Sequence, residues 1–171
     1  AKSFPIYFTI IAIGVGLTAG TNTLIGNNIG AKNKRKASLF VAQSIIFAIF
    51  LSILVTFFGL NVSDFLLSLM GSDQAGIILT RKYLDVIFYG TIIVLIQISL
   101  NGTLNAQGDT KSYRNVLIFS FFLNIFLNPL FIFGYGFIPA FGIAGLAIAT
   151  VVAQFVGLLY LAYKVYCCEL K

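Results

Sequence analysis

Five long runs of apolar residues, separated by short polar segments, form the main pattern of this sequence. A helix needs roughly 17–25 predominantly apolar residues to cross the hydrocarbon core of a bilayer, and each run has that length. The pattern therefore predicts an all-α membrane protein, a polytopic helix bundle, with one transmembrane domain over residues 1–171. The predicted spans are Pro5–Ile29, Ala37–Leu60, Tyr83–Ala106, Val116–Phe133 and Ile143–Tyr166.

The segments between the runs predict one further element. Asn61–Gln74 contains the apolar stretch Phe65–Met70, whose length suits a short helix at the membrane interface and not a crossing. Gln107–Tyr113 is predicted to be a turn, because glycine and aspartate interrupt the helical pattern there. Gly134–Gly142 is a loop without charges.

Composition supports the membrane class. The chain is 59% hydrophobic and 9% charged, whereas a soluble domain has about 25% charged residues. The net charge of +6 does not indicate a nucleic-acid partner, because the basic residues lie at the ends of apolar runs and form no continuous face. The sequence has no histidine, and its two cysteines, Cys167 and Cys168, are adjacent, which suits neither a disulfide framework nor a zinc site.

The distribution of basic residues predicts the orientation. The densest basic cluster follows the first run, and by the positive-inside rule this loop is cytoplasmic. The start of the chain then lies outside, its end lies inside, and every loop agrees. The basic residues predicted inside are Lys32, Lys34, Arg35, Lys36, Lys111, Arg114, Lys164 and Lys171, and those outside are Lys2, Arg81 and Lys82. An outside start directly before an apolar helix leads us to expect one more span upstream, which would complete a six-helix half of a transporter built from two repeats.

A stripe of polar residues crosses the fourth run. Ser120, Asn124 and Asn128 lie four apart, so they share one face of a helix. Pro129 follows and removes the backbone hydrogen bond that its N–H would make to the carbonyl of Ile125. Because lipid offers no hydrogen bonds, these groups need partners within the protein.

Other runs carry similar stripes of uncharged polar residues. If the stripes face one another they line a polar chamber, and carrying a solute is its natural use. Interhelical hydrogen bonding without a substrate is the structural alternative, worth only about 1 kcal/mol per bond. The further polar positions are Gln97, Asn101 and Asn105, then Thr150 and Gln154, and the second half of the first run, which contains Thr18, Thr21, Asn22, Thr23, Asn27 and Asn28.

Small residues at intervals of four predict close helix packing. In the fifth run Gly145, Ala149, Ala153 and Gly157 form a long edge of this kind, and in the first run the pairs are Gly16/Gly20 and Gly26/Gly30. We expect all of them to pack against neighbouring helices.

Candidate catalytic chemistry is absent from the sequence. It has no histidine, no paired carboxylates within a span, and no nucleophile or phosphate-binding motif, so an enzyme is not expected and no cofactor is expected. Asp85, the only acid within a span, lies at the span's edge, where we expect it to reach headgroup water or to pair with Arg81 or Lys82.

Three stretches resemble the multidrug and toxic compound extrusion (MATE) family of transporters: Gly14–Ala37, Asn101–Gly134 and Phe141–Gln154. The resemblance covers nearly the whole chain. It implies that the five spans are the second to sixth helices of a twelve-helix protein with two six-helix lobes. It also implies cation-coupled antiport, in which Na⁺ or H⁺ enters as a drug or other amphipathic solute leaves.

The resemblance also implies a cation site in this lobe, built from an acid on the first helix and polar residues on the fourth, fifth and sixth. Asn124 matches the asparagine of the fifth-helix pattern, and Asn128 stands where that pattern commonly has aspartate. Thr150 is the match on the sixth helix and Tyr89 that on the fourth. An amide cannot exchange a proton in the useful pH range, although its carbonyl can bind sodium.

The sequence leaves two other interpretations open. One is a flippase for lipid-linked oligosaccharides with the same broad fold, which would be expected to have a strongly cationic chamber. The other is an inactive truncated membrane fragment. The expected partners are a small-molecule substrate, the lipid bilayer and the remainder of the chain itself, and the expected location is the cell membrane, multi-pass, of bacterial plasma-membrane type.

Overall fold

Five helices, without strands in the described residues, make up this computed structural model, which describes residues 4–69, 74–134 and 139–167. All five are long and apolar enough to cross a membrane, so the prediction of a polytopic helix bundle is confirmed. In chain order the helices are α1 (Phe4–Gly30), α2 (Lys34–Leu69), α3 (Gln74–Ala106), α4 (Lys111–Phe133) and α5 (Ile143–Cys167).

The interior of the bundle is organised around α3. This helix contacts α1, α2 and α5, while α4 packs mainly on α5. Half of the membrane-spanning segment of α3 is buried (50%), against 11% for α2 and for α4. A buried helix can hold polar groups that would be costly in lipid, and α3 carries five of them, namely Thr91, Gln97, Ser99, Asn101 and Thr103.

Helices that follow one another along the chain run in opposite directions. Thr18 of α1 donates a hydrogen bond to the carbonyl of Ile98, and Thr21 lies beside Gly102, so α1 and α3 run parallel. On the other side, Ser99 donates to Ser44 and Thr56 donates to the carbonyl of Phe88, so α2 runs antiparallel to α3.

The contacts of α5 with α3 give the direction of the last helix. Along α3 and α5, Gly90 meets Val151 and Gln97 meets Gly157, so these two helices are parallel. The connections 31–33 and 107–110 therefore lie at one end of the bundle. A cluster of Ile25, Ala37 and Val41, packed against Ala106 and Val165, closes this end, which is the predicted cytoplasmic one.

Side-chain caps fix where two helices begin at that end. Asn33 Oδ1 accepts a hydrogen bond from the backbone N–H of Lys36 at the start of α2, with a distance of 3.1 Å between the two atoms. Asp109 accepts hydrogen bonds from the backbone N–H groups of Lys111 and Ser112 and from the Ser112 hydroxyl at the start of α4. The Ser112 hydrogen bond is the main reason that the pKa of Asp109 is lowered, and the charge of Lys164 adds to the effect. These caps satisfy amide groups that a helix terminus leaves without partners.

The predicted short interfacial helix over Phe65–Met70 is wrong. Helix α2 continues without a break to Leu69, and α3 begins at Gln74 and not at Tyr83. Residues 60–69 contain neither glycine nor proline, so nothing stops the helix where the apolar run ends. At 1.5 Å per residue the 36 residues of α2 extend about 54 Å, well beyond a hydrocarbon core of about 30 Å.

The small residues of α5 pack as predicted, whereas those of α1 do not. Gly145, Ala149, Ala153 and Gly157 are all buried. At Gly16, Gly20, Gly26 and Gly30, by contrast, an added Cβ would meet no atom within 4 Å of the described residues. Gly14, two residues before the first of these, is the α1 glycine that packs, against Ile98. The face of α1 that turns toward α3 is therefore not the one with the glycine pairs.

Candidate functional site

One face of α4 carries the candidate residues and packs on α5. Val116 lies against Gly157, and the Ser120 hydroxyl donates to the carbonyl of Ala153 across 3.5 Å. Asn124 and Asn128 continue this face at intervals of four. Since α4 and α5 are antiparallel, the stripe brings both asparagines to the part of α5 between Gly145 and Ala153.

The two asparagines have different surroundings. Asn124 is half-buried, and its Nδ2 donates to the carbonyl of Ser120 over 2.9 Å on its own helix. Asn128 is also half-buried, but its Oδ1 is buried and accepts no hydrogen bond from the described residues. A buried amide oxygen without a donor costs free energy, on the order of 1–3 kcal/mol. It is an acceptor available for a cation or for a polar group of a solute.

The other two predicted site residues, Thr150 and Tyr89, lie in different surroundings. Thr150 lies on the stretch of α5 that faces Asn124 and Asn128, and its hydroxyl donates to the carbonyl of Leu146 over 2.9 Å. Its oxygen keeps a lone pair for a further partner. Tyr89 is 68% exposed on the surface of the five-helix unit. Asn124 and Asn128 thus lie on the α4 face that meets α5, Thr150 lies at the same level on α5 with its hydroxyl bonded within its own helix, and Tyr89 lies on the outside of α3.

Gln97 and Asn101 of α3 belong to a polar stripe that the sequence shows, but they are not among the predicted site residues. Gln97 is 1% exposed and Asn101 is 9% exposed, and they lie one turn apart. Gln97 Nε2 and Asn101 Oδ1 make no hydrogen bond with the described residues. Gln97 reaches α5 at Gly157, where an added Cβ would lie 2.6 Å from its Nε2. The spacing of four residues is the available signal, but only the packing shows that both amides are buried and that Gln97 faces α5.

Asp85, the acid predicted within the third span, pairs with a base on its own helix. Asp85 Oδ2 lies 3.8 Å from Arg81 Nε, as expected from their spacing on one helix. Its Oδ1 is buried and accepts no hydrogen bond from the part of the chain that the structure describes. Within those residues no group of three or more histidine, cysteine, aspartate or glutamate side chains could hold a metal ion. The chemistry of the α4–α5 site therefore rests on neutral oxygen and amide groups.

The polar half of α1 is only partly covered. Thr21 is buried against Gly102 of α3, and Thr18 is half-buried there. Asn22, Thr23 and Asn27 are exposed in the five-helix unit. Thr23 donates instead to the carbonyl of Ala19 on the same helix, 2.9 Å away. The described residues thus provide protein neighbours for Thr18 and Thr21, and for the rest of this half of α1 a protein or water-filled neighbour stays a prediction.

The sequence matches a known family over most of its length. A family model described as MatE covers residues 1–130. The chain belongs to the MatE family. This confirms the resemblance that the three stretches indicated, and it extends the match to α1, α2, α3 and most of α4.

Two curated relatives are transport proteins by name. The chain is 31% identical to the probable multidrug resistance protein YoeA of Bacillus subtilis over 88% of its own length and 32% of that protein. It is 30% identical to the FAD transporter of Shewanella oneidensis over 91% of its own length and 34% of that protein. The MatE chain thus spans about a third of the length of these relatives.

Solved structures of MATE transporters superpose closely on these helices. An inward-facing MATE transporter matches with a TM-score of 0.90 and 31% identity over 98% of this chain and 37% of that one. An outward-facing one matches with a TM-score of 0.85 and 32% identity over 96% of this chain and 36% of that one. The expected fold is therefore confirmed, and the molecule is a multi-pass membrane protein whose relatives named above are bacterial, in agreement with the expected location.

Proposed function

We propose that this MatE chain forms part of the amino-terminal lobe of a secondary active efflux transporter. In this function, Na⁺ or H⁺ moves down its gradient and drives the export of drugs or other amphipathic solutes. The observation that carries the proposal is the Oδ1 atom of Asn128, which is buried without a donor on the α4 face that meets α5. Membrane proteins rarely bury an unsatisfied polar atom within a span without a functional reason.

The chemistry of the site supports coordination without titration. The carbonyl oxygen of an asparagine side chain is a hard ligand suited to alkali cations, and the amide neither gains nor loses a proton near neutral pH. Asn128 stands where the family resemblance places an aspartate. We therefore propose that Asn128 holds the cation, or a polar group of the solute, while proton exchange takes place at other groups. In this proposal Asn124, one turn away on α4, and Thr150, on the stretch of α5 opposite, are the residues that would supply further oxygens.

Close packing supports movement of these helices as one unit. The same five helices match an inward-facing and an outward-facing transporter. Ser120, Gln97 and Val116 contact the small-residue face of α5, so α3, α4 and α5 are tightly joined. In this proposal the lobe rotates as a rigid body. The site then opens to one side of the membrane or to the other while its residues keep their relative positions.

Transport by the full-length protein tests the function. Two preparations of everted vesicles that contain it are compared. One has high internal Na⁺ with the same pH on both sides of the membrane, and the other has an acid interior and no Na⁺ on either side. Uptake of a fluorescent cationic dye, and separately of FAD, is measured against vesicles from cells without the protein. Uptake driven by one of the two gradients supports cation-coupled export. Uptake equal to the control under both gradients, for dye and FAD alike, would overturn the proposal.

The flippase alternative finds no support among the relatives. They are named as multidrug resistance proteins and as an FAD transporter. A carrier of lipid-linked pyrophosphates would be expected to place arginine or lysine at mid-depth, and the five spans have none there. We therefore do not put forward this second function.

A further inference from the structure

An apolar groove opens between α4 and α5 toward their cytoplasmic ends. It holds about 350 Å³ and lies close to the basic residues Lys111 and Arg114 in the first turn of α4. The lining residues are Asn115, Val116, Phe119, Val156, Gly157 and Tyr160. Val116 packs closely against Gly157 in the lining, and Phe119 and Tyr160 form exposed aromatic walls. The groove lies apart from Asn124, Asn128 and Thr150, which occupy the opposite half of the α4–α5 contact.

Two cations stand at the rim of this groove. Lys164 Nζ lies 5.8 Å from the centre of the Tyr160 ring, and Arg114 Nη2 donates to Asn115 Oδ1 across 3.4 Å. Both contacted side chains line the groove. The nearby carboxylate, Asp109, feels the charge of Lys164, but its oxygens already accept the capping hydrogen bonds at the start of α4. With Lys111 in the same first turn of α4 as Arg114, the described residues near this end of the groove include three basic side chains and one acid, so their net charge is positive.

We propose that this groove binds one anionic phospholipid of the cytoplasmic leaflet, of the phosphatidylglycerol type. An acyl chain lies along Val156, Gly157 and Phe119, and the phosphate lies between Arg114 and Lys164. Arginine suits phosphate because its planar group donates two parallel hydrogen bonds, while the lysine side chain extends along apolar surface to reach the headgroup level. Basic pockets between membrane helices on the cytoplasmic side are typical sites for anionic headgroups.

Lipid retention by the full-length protein in detergent tests the proposal. The protein is mixed with equal amounts of dioleoyl phosphatidylglycerol and dioleoyl phosphatidylcholine, and bound lipid is counted by native mass spectrometry. Wild type should retain phosphatidylglycerol preferentially. The double variant Arg114→Gln/Lys164→Gln should lose that preference, by about fivefold for each removed charge. The matched control Arg35→Gln/Lys36→Gln removes two charges from the same membrane face away from the groove and should keep the preference.

Further variants test whether the lipid occupies the groove itself or is only attracted to a positively charged surface. Val156→Phe should fill the groove and reduce retention of phosphatidylglycerol, whereas Val152→Phe, one turn away on the same helix, should not. Glycerol phosphate added alone should not compete, because the acyl chain contributes to binding. Equal loss in both charge variants, or no loss in Val156→Phe, would show general attraction to the membrane surface and would overturn the site. Failure of a membrane-permeant maleimide to label Val156→Cys in lipid-free full-length protein would likewise overturn it by showing that protein fills the groove.

Discussion

Gly145, near the start of α5, packs directly against the main chain of Phe131 on α4. A Cβ added at Gly145 would lie 2.6 Å from the carbonyl carbon of Phe131 and 3.0 Å from the backbone nitrogen of Ile132. Backbone cannot rotate away as a side chain can, so only glycine fits this position. The contact holds together the non-cytoplasmic ends of the two helices that carry the candidate site.

Replacing this glycine should therefore destabilise the protein. We expect Gly145→Ala to lower the free energy of unfolding by about 1–3 kcal/mol, because the helices must move apart to admit the methyl group. Gly16→Ala is the matched control, since a Cβ at Gly16 meets open space and alanine favours a helix by about 1 kcal/mol over glycine. Thermal unfolding of the full-length protein in detergent measures both. Equal stability of the two variants would contradict the close α4–α5 contact.

A second prediction concerns the middle of the same contact. Ala153 is fully buried and its carbonyl accepts the hydrogen bond from Ser120, so Ala153→Leu should reduce the yield of folded protein by pushing α4 away. Val152→Leu should leave the yield unchanged, because Val152 is 36% exposed on the outer side. Size-exclusion chromatography in detergent compares the two. A normal yield of Ala153→Leu would place the small-residue edge against lipid.

The unpartnered oxygen of Asn128 leads to a prediction about transport. Asn128→Ala should reduce export by the full-length protein at least tenfold, the loss expected when about 1.4 kcal/mol of coordination is removed. Asn128→Asp should retain more export and should add a pH dependence, because a carboxyl group can bind and release a proton while an amide cannot. Dye uptake into everted vesicles is measured for all three proteins across roughly pH 5 to 8, where proteins tend to be most stable. Wild-type export by Asn128→Ala would show that the polar stripe is only structural.

The cap at the start of α4 predicts a pH-dependent contribution to stability. The Ser112 hydroxyl is the main group that holds the pKa of Asp109 below its ordinary value of 3.8. A lowered pKa in the folded state means that the contribution is present above the unfolded value and is lost as the pH falls through the folded one. Asp109→Ala should therefore cost about 1 kcal/mol at neutral pH and less at a pH below the folded pKa.

Thr110 offers a matched control for that cap. It stands next to Asp109 at the start of α4, but its side chain makes no capping hydrogen bond. Thr110→Ala should leave the unfolding temperature of the full-length protein unchanged at both pH values. A loss as large as that of Asp109→Ala would mean that the capping geometry does not contribute to stability.

The alternation of helix directions predicts which loops a reagent can reach. In a background with Cys167→Ser and Cys168→Ser (position 168 lies outside the described residues), Asn33→Cys should resist an impermeant thiol reagent in whole cells. Ala140→Cys, in the connection between α4 and α5 at the opposite end of the bundle, should react. The reverse labelling pattern would invert the orientation that the basic residues predict.

Much of the fold follows from the sequence alone. Five apolar runs of sufficient length determine five membrane helices, because a backbone in lipid must satisfy its own hydrogen bonds. The basic cluster after the first run and the turn residues Gly108 and Asp109 determine where two connections lie, which the positive-inside rule predicts to be cytoplasmic. The order of motifs determines the family. Asn124 and Asn128 were found as a stripe because a four-residue spacing on a helix places side chains on one face.

Only the tertiary structure decided which faces meet. The glycine pairs of α1 have the spacing of a packing edge, yet α1 approaches α3 through Gly14 and Thr21 instead. The burial of Gln97 depends on three helices meeting at Gly157, and a spacing within one helix carries no information about its neighbours. The end of α2 was likewise misjudged, since a helix can extend beyond the membrane for as long as its backbone bonds are satisfied within it. Sequence periodicity thus determines the faces of each helix, while the choice of partner for each face depends on side-chain shapes from distant parts of the chain.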